Sequence, residues 1–79
     1  MQQDENYYTT SDLALAVILS LSFQVDHLDK SNPKKVQFFF KKDPKMDELI
    51  EKYWKKLLRV EPSQYFYQIR TIKNLIYES

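Results

Sequence analysis

One uncharged apolar segment near the N-terminus constrains the fold more than any other part of the chain. This segment, Leu13–Phe23, has the sequence LALAVILSLSF. At 100° per residue its large side chains point to all sides of a helix, and a helix that is apolar all round is buried on most of its surface. The segment is shorter than the roughly 20 residues that a membrane span needs. We therefore predict a core helix, capped by Thr9 or Thr10, with Asp12 in its first turn.

Length and residue usage narrow the class of protein. A chain of 79 residues predicts one domain, 1–79, in which we expect residues 1–7 to be flexible. Cysteine and glycine are both absent, which excludes disulfides, thiolate metal sites and glycine-rich phosphate loops. The lack of cysteine fits a reducing compartment, and no basic segment precedes the apolar run as it would in a signal peptide. We therefore expect a cytoplasmic protein that does not associate with a membrane.

The charges are divided unevenly along the chain, although the net charge is only +1. Residues 1–29 carry five acidic residues and no Lys or Arg, a net charge of −5. Residues 30–79 carry all 12 basic residues against six acidic ones, a net charge of +6. Such an asymmetry indicates an anionic partner, or alternatively an attraction between the two halves of the chain itself.

Two strands are predicted after the core helix. Residues Phe23–Leu28 alternate apolar and polar side chains, as a half-buried strand does, and Lys30–Pro33 has the composition of a turn. Lys35–Lys41 is the second strand of an antiparallel hairpin. Its two faces differ: Val36, Phe38 and Phe40 point to one side, and Lys35, Gln37, Phe39 and Lys41 to the other.

Two further helices complete the predicted fold. Asp43-Pro44 caps and begins the middle helix, in which apolar residues from Met46 to Leu58 follow the i, i+3, i+4, i+7 spacing. Glu61-Pro62 begins the third helix, whose buried stripe consists of Tyr65, Ile69, Ile72 and Ile76. The predicted order is α-β-β-α-α, and the class is α+β: a small single domain with a two-stranded hairpin packed on three helices.

A set of short motifs extends over the chain from about Tyr7 to Tyr77. They are Tyr8–Ala16 (YTTSDLALA), Lys30–Phe38 (KSNPKKVQF), Tyr53-Trp54, Val60-Glu61-Pro62, Tyr65-Phe66 and Arg70. Together they resemble a family of small uncharacterised prokaryotic domains found in bacterial, archaeal and phage or mobile-element genomes. The resemblance implies the fold but no activity. This chain lacks the glycines of the pattern near Ser22 and after Trp54, and we expect the second absence to lengthen the middle helix.

No constellation of side chains predicts an enzyme. Acyl transfer needs a nucleophile, a base and an orienting group, and the only imidazole is His27, on a predicted strand. Adjacent strand residues point to opposite faces, so Asp29 is the better partner for His27 than Asp26. A zinc site needs three or four ligands, which are not grouped here. We expect no catalytic residue, no metal, no cofactor and no small-molecule substrate.

The basic residues and one aromatic residue predict a nucleic-acid surface without sequence specificity. On the middle helix the cations fall within about 60° of one another and form a stripe. On the hairpin, Phe39 lies between Lys35 and Lys41, as on a platform where bases stack and lysines meet phosphates. The predicted contact residues are Lys34, Lys35, Phe39, Lys41, Lys42, Lys45, Lys52, Lys56 and Arg59. The alternative is that Phe39 packs under the third helix and the lysines only aid solubility.

A protein partner is the second hypothesis. Aromatic residues make up 15% of the chain, more than a small core needs. Trp54, Tyr67 and Tyr77 lie at or beyond the edges of the apolar helical stripes, and exposed Tyr and Trp are favoured anchors of protein interfaces. Such a module could bind or inhibit another protein, or it could pair with a second copy of itself.

Overall fold

A computed structural model describes residues 6–32 and 34–78 as three helices packed on one face of a three-stranded antiparallel sheet. The elements in chain order are β1 (Tyr7–Thr10), α1 (Leu13–Ser20), β2 (Val25–Asp29), β3 (Gln37–Lys41), α2 (Pro44–Trp54) and α3 (Pro62–Tyr77). The α+β class is confirmed, but the sheet has three strands where the sequence predicted two. We expected residues 1–7 to be flexible: residues 1–5 lie outside the described residues, as does Pro33 of the predicted turn, whereas Tyr7 is the first residue of β1.

The additional strand is β1, which pairs antiparallel with β3, although α1 and β2 lie between the two in the sequence. Its register places Tyr7 opposite Lys41 and Thr10 opposite Phe38, so β3 is the central strand and the order is β1-β3-β2. Because this segment is a strand, neither threonine is the N-cap of α1. The cap is Asp12, whose carboxylate accepts the N–H of Leu15 at 3.2 Å.

The hydrophobic core forms around α1. Its residues Leu15, Ala16, Val17 and Leu19 are fully buried, together with Phe38, Phe40, Met46 and Ile72 from the other elements. The prediction of a buried apolar helix is therefore confirmed, as is the inward face of β3. The helix is shorter than predicted, because it ends at Ser20. Beyond it, the N–H groups of Ser22 and Phe23 donate to the carbonyl of Leu19 at 3.1 and 2.8 Å.

The end of α2 is a turn with a left-handed residue. Lys56 has a φ of 60°, and no other residue in the described part of the chain has a positive φ. The N–H of Leu57 donates to the carbonyl of Lys52 at 3.0 Å, and the N–H of Lys56 donates to that of Tyr53 at 3.1 Å. This pair of bonds is a Schellman motif, in which glycine normally takes the left-handed position. The predicted extension of α2 is wrong, because Lys56 ends the helix without a glycine.

Both remaining helix starts follow the predicted local chemistry. The carboxylate of Asp43 accepts the N–H of Lys45 at 2.9 Å, with Pro44 in the first helical position. The carboxylate of Glu61 accepts the N–H of Gln64 at 2.8 Å and the hydroxyl of Ser63 at 2.5 Å at the start of α3. Proline lacks a backbone N–H, and it suits these positions because an N–H at the first helical residue would have no acceptor within the helix.

Candidate nucleic-acid interface

The face of the sheet opposite the helices carries the strongest candidate site. Strand residues alternate between faces, so the inward Phe38 and Phe40 place Phe39 and Lys41 on the outer face. The strand register brings Thr9 and His27 to either side of Phe39, and Tyr7 opposite Lys41. Phe39 is half-buried and does not belong to the core cluster. It therefore lies on the outer face, as predicted, rather than beneath the third helix.

Three aromatic rings from the three strands meet on this outer face. The rings of His27 and Phe39 are stacked, with centroids 4.3 Å apart and planes 14° from parallel. The ring of Tyr7 meets both edge-on, at centroid distances of 5.3 Å to His27 and 6.2 Å to Phe39. We call Tyr7, His27 and Phe39 the aromatic platform. The sequence predicted only Phe39, because Tyr7 joins it through the pairing of β1 with a distant strand and His27 joins it through the register shift after Val25.

His27 is oriented by Asp26 rather than by Asp29. Its Nδ1 lies 2.6 Å from Oδ2 of Asp26. The strand register shifts between Val25 and His27, which marks a β-bulge at Asp26. A bulge breaks the alternation of faces and lets neighbouring side chains meet, so the predicted preference for Asp29 is wrong. The carboxylate of Asp29 instead accepts the N–H of Ser31 at 2.9 Å, and this bond lowers the pKa of Asp29.

Cations lie at both ends of β3. Lys41 ends the strand and Lys42 follows it, while Lys34 and Lys35 precede it. All four side chains are exposed, and none forms an ion pair with another residue of the described part of the chain. Lys35 lies in the turn before β3, where its N–H donates to the carbonyl of Asn32 at 3.0 Å, and so is not a strand residue as predicted.

The acidic residues of the sheet lie on β2, the opposite side of the platform from β1. Asp26 contacts His27, and Asp29 lies at the end of the strand, opposite Gln37. The potential of the outer face therefore changes from negative along β2 to positive at the two ends of β3. Strand β3 itself, from Gln37 to Lys41, spans about 13 Å between these two groups of cations.

The predicted basic stripe on the middle helix is only half present. Lys45 and Lys52 lie on α2, two turns apart on the same side, and Nζ of Lys52 is 3.6 Å from the carboxylate of Glu48. Lys56 and Arg59 lie beyond the helix, which ends at Trp54. The prediction of a helical stripe is therefore wrong for Lys56 and Arg59, because the left-handed turn at Lys56 redirects the chain.

The residues predicted to contact proteins are all strongly exposed. The exposed fractions are 61% for Trp54, 72% for Tyr67 and 80% for Tyr77. Tyr67 and Tyr77 are about 15 Å apart along α3 and about 80° apart around it, whereas Trp54 ends α2 beside Tyr53. Phe66, which follows Tyr65 of the predicted stripe on α3, is also exposed, with an exposed fraction of 62%. These side chains therefore lie on two helices, and in the described part of the chain no ring contact joins Trp54, Tyr67 and Tyr77 to one another.

Metal sites and membrane spans are both absent from residues 6–32 and 34–78. No group of three or more His, Asp or Glu side chains in this part of the chain could hold a metal ion. No helix described by the structure has both the length and the apolar character needed to cross a membrane.

Comparison with known proteins places the chain in a family. The model of a domain of unknown function, DUF5659, matches residues 5–78, which include all six elements of the fold and the whole aromatic platform. No curated protein and no solved structure matches the chain. The match agrees with the resemblance to an uncharacterised domain family that the sequence motifs indicated. Since the matched region covers nearly the whole sequence, the chain belongs to the DUF5659 family.

Proposed function

We propose that this chain is a small, non-enzymatic binding module that holds single-stranded nucleic acid on the outer face of its sheet. The observation that carries the proposal is the aromatic platform, with Lys34 and Lys35 before β3 and Lys41 and Lys42 at its other end. Aromatic side chains on an open sheet face stack with unpaired bases, whereas a duplex keeps its bases stacked on one another. The platform therefore favours single strands over duplexes.

The binding energy would come from two separable sources. Stacking on an aromatic side chain contributes about 1–3 kcal/mol per base and does not depend on which base is bound. Four lysines in contact with phosphates would give log K a slope of about −3 against log salt for a single strand. We therefore propose that the chain binds single-stranded nucleic acid without sequence preference. We propose the cytoplasm as its location, in an organism or mobile element whose genome encodes this family. A phage origin is part of this proposal and follows from the motif resemblance alone.

Fluorescence anisotropy with labelled oligonucleotides tests the proposal. We would titrate the chain into single-stranded and duplex DNA and RNA, about six to twelve nucleotides long, because six stacked nucleotides span about 20 Å. Each titration is repeated at about 50 mM and about 200 mM salt. Tighter binding of single strands at low salt supports the proposal. An absence of binding to every oligonucleotide at low salt overturns it.

Matched variants separate stacking from general charge. Phe39→Ala removes the central ring of the platform, and we expect a loss of affinity of about 5-fold to 150-fold, as the energy of one stacked base implies. Phe66→Ala removes an aromatic ring that is 62% exposed on α3 and should leave binding unchanged. Lys41→Gln should reduce the magnitude of the salt slope by about 0.7, whereas Lys52→Gln, on the helix side beside Glu48, should not change it.

A protein-binding or inhibitor role is the second candidate, favoured by the exposure of Trp54, Tyr67 and Tyr77. Large aromatic side chains at a surface are common centres of binding energy. The platform ranks first because its rings are in mutual contact, whereas these three are spread over α2 and α3. Affinity capture from a host extract, using the natural chain and Trp54→Ala in parallel, tests this role. The recovery of one protein by the natural chain but not by the variant supports it, and identical recoveries contradict the part assigned to Trp54.

A further inference from the structure

The two edge strands of the sheet differ in a way that indicates a partner for one of them. An edge strand presents unpaired backbone N–H and C=O groups, and proteins protect such edges with bulges, charges or proline. Strand β2 has this protection, since it is bulged at Asp26 and carries charges at Asp26 and Asp29. Strand β1, with the sequence Tyr-Tyr-Thr-Thr, has neither a charge nor a proline. Within residues 6–32 and 34–78 no strand pairs with the outer side of β1, which leaves that edge open to pairing with another strand.

One hydrogen bond fixes which backbone groups face outward on β1. The N–H of Lys42 donates to the carbonyl of Asn6 at 3.0 Å, and the register continues the pairing of Tyr7 with Lys41. Antiparallel pairs alternate between hydrogen-bonded and non-hydrogen-bonded types. Tyr8 and Thr10 are thus bonded to β3, and the N–H and C=O of Tyr7 and Thr9 point away from it, toward the free edge.

We propose that two copies of this chain pair antiparallel through β1, with Tyr7 of one copy opposite Thr9 of the partner subunit. This register places the two-fold axis at Tyr8 and lets the outward groups of Tyr7 and Thr9 form four hydrogen bonds between the copies. The same residue patch serves both copies, as a two-fold interface requires. A second copy is the occupant that fits, because the edge is uncharged and its hydrogen-bonding groups complement themselves.

The pairing would join the two outer sheet faces into one surface. Cross-strand partners lie on the same face of a sheet, so Tyr7 would stand beside Thr9 of the partner subunit, two strands from that copy's Phe39. The result is a six-stranded sheet with an aromatic platform on each half. The idea that this joined surface would bind a longer nucleic-acid strand rests on the proposed function. The pairing itself does not, because it follows from the edge alone.

Sedimentation equilibrium of the unmodified chain, from about 1 µM to about 1 mM, tests the pairing without any nucleic acid. We expect the mass to rise from that of the 9.6 kDa monomer to twice that value. A monomer at every concentration overturns the proposal, whatever the oligonucleotide titrations show. A dimer with no affinity for oligonucleotides would keep the pairing and refute the proposed function, so the two failures are distinguishable.

Substitutions on the two edges locate the interface. Thr9→Pro removes an N–H that β3 does not use, and proline is tolerated on edge strands. We expect it to leave far-UV circular dichroism unchanged and the chain monomeric at concentrations where the unmodified chain is dimeric. Asp29→Lys, on the other edge, should leave the dimer intact. A folded Thr9→Pro chain that still dimerises would overturn the assignment to β1.

Hydrogen exchange gives a second measurement, which needs no variant. At about 1 mM the amides of Tyr7 and Thr9 should exchange at least 10-fold more slowly than at about 1 µM, because pairing with the partner subunit protects them. The amide of His27, on the opposite edge strand, should show no such dependence on concentration. Equal exchange of the Tyr7 and Thr9 amides at both concentrations would contradict the proposed pairing.

Discussion

The hydroxyl of Tyr53 donates a hydrogen bond to Oδ2 of Asp12 at 3.2 Å, and this bond joins α2 to the start of α1. The other carboxylate oxygen of Asp12 caps α1 through the N–H of Leu15. The backbone N–H of Asp12 donates to the hydroxyl of Thr10 at the end of β1. One residue therefore connects the first strand, through its backbone N–H, with the core helix and the middle helix, through its carboxylate.

The first prediction concerns this connection. Tyr53→Phe removes the hydroxyl and should lower the free energy of unfolding by about 1 kcal/mol, the usual net contribution of one hydrogen bond. Urea denaturation followed by circular dichroism measures the change. Tyr77→Phe is the matched control, because the side chain of Tyr77 is 80% exposed and no hydrogen bond to its hydroxyl is present in the described part of the chain. Equal losses in both variants would contradict the role of the Tyr53 hydroxyl.

The second prediction concerns the left-handed turn that ends α2. A residue with a Cβ is disfavoured at positive φ by about 1–2 kcal/mol, and glycine is not. Since Lys56 has φ 60°, we expect Lys56→Gly to raise the free energy of unfolding by about 0.5–1 kcal/mol, even though glycine also loosens the unfolded chain. Lys56→Ala removes the same charge but keeps the Cβ, so it should not stabilise. A stabilising alanine would assign the effect to charge instead of backbone geometry.

The third prediction contrasts neighbouring phenylalanines on opposite faces of β3. Phe40 is fully buried, and Phe40→Ala should cost about 3–5 kcal/mol, a large share of the stability of about 4–12 kcal/mol that a domain of this size has. Phe39→Ala should cost markedly less, because its ring lies outside the core. Thermal unfolding of the two variants checks the order. The reverse order would contradict the assigned faces and remove the basis of the platform.

The fourth prediction concerns acid stability. Hydrogen bonds from Ser63 and from the N–H of Gln64 lower the pKa of Glu61 below its ordinary value of 4.5. A lowered pKa means that the folded state favours the carboxylate. The stabilisation is therefore complete above pH 4.5 and is lost as the pH falls through the folded-state pKa.

Melting temperatures between about pH 2 and pH 7 check this prediction. We expect Glu61→Gln to flatten the acid side of the profile, because the amide does not titrate. Ser63→Ala removes the largest cause of the shift and should flatten the profile in part. A profile for Glu61→Gln that is as steep as that of the unmodified chain would show that the cap does not contribute to acid sensitivity.

Local chemistry made much of the fold predictable from the sequence. The apolar run of α1 predicts a buried helix from its own residues alone. The pairs Asp43-Pro44 and Glu61-Pro62 mark helix starts, because the capping residue and the proline are adjacent in the chain. The alternation of β3 correctly separated Phe38 and Phe40 from Phe39. Each of these features depends on residues within a few positions of one another.

The errors arise where a residue's role depends on a distant or irregular neighbour. Tyr7–Thr10 is a strand only because β3 is available to it, and the segment is too short for its own pattern to indicate this. The contact of His27 with Asp26 depends on a bulge that no local motif marks. The turn at Lys56 uses a residue type that gives no signal for positive φ. As a result the sequence indicated one ring of the aromatic platform and missed two.

The position of β1 in the sheet has a consequence for the order of folding. Strands β2 and β3 are neighbours in the chain and close a short loop, whereas β1 reaches β3 only after α1 and β2 have been passed. Closing the longer loop costs more chain entropy, so the β2–β3 hairpin can form early and β1 is added late. The last strand that we expect to join is then the one that supplies Tyr7, so the three-ring surface is complete only once β1 has paired with β3.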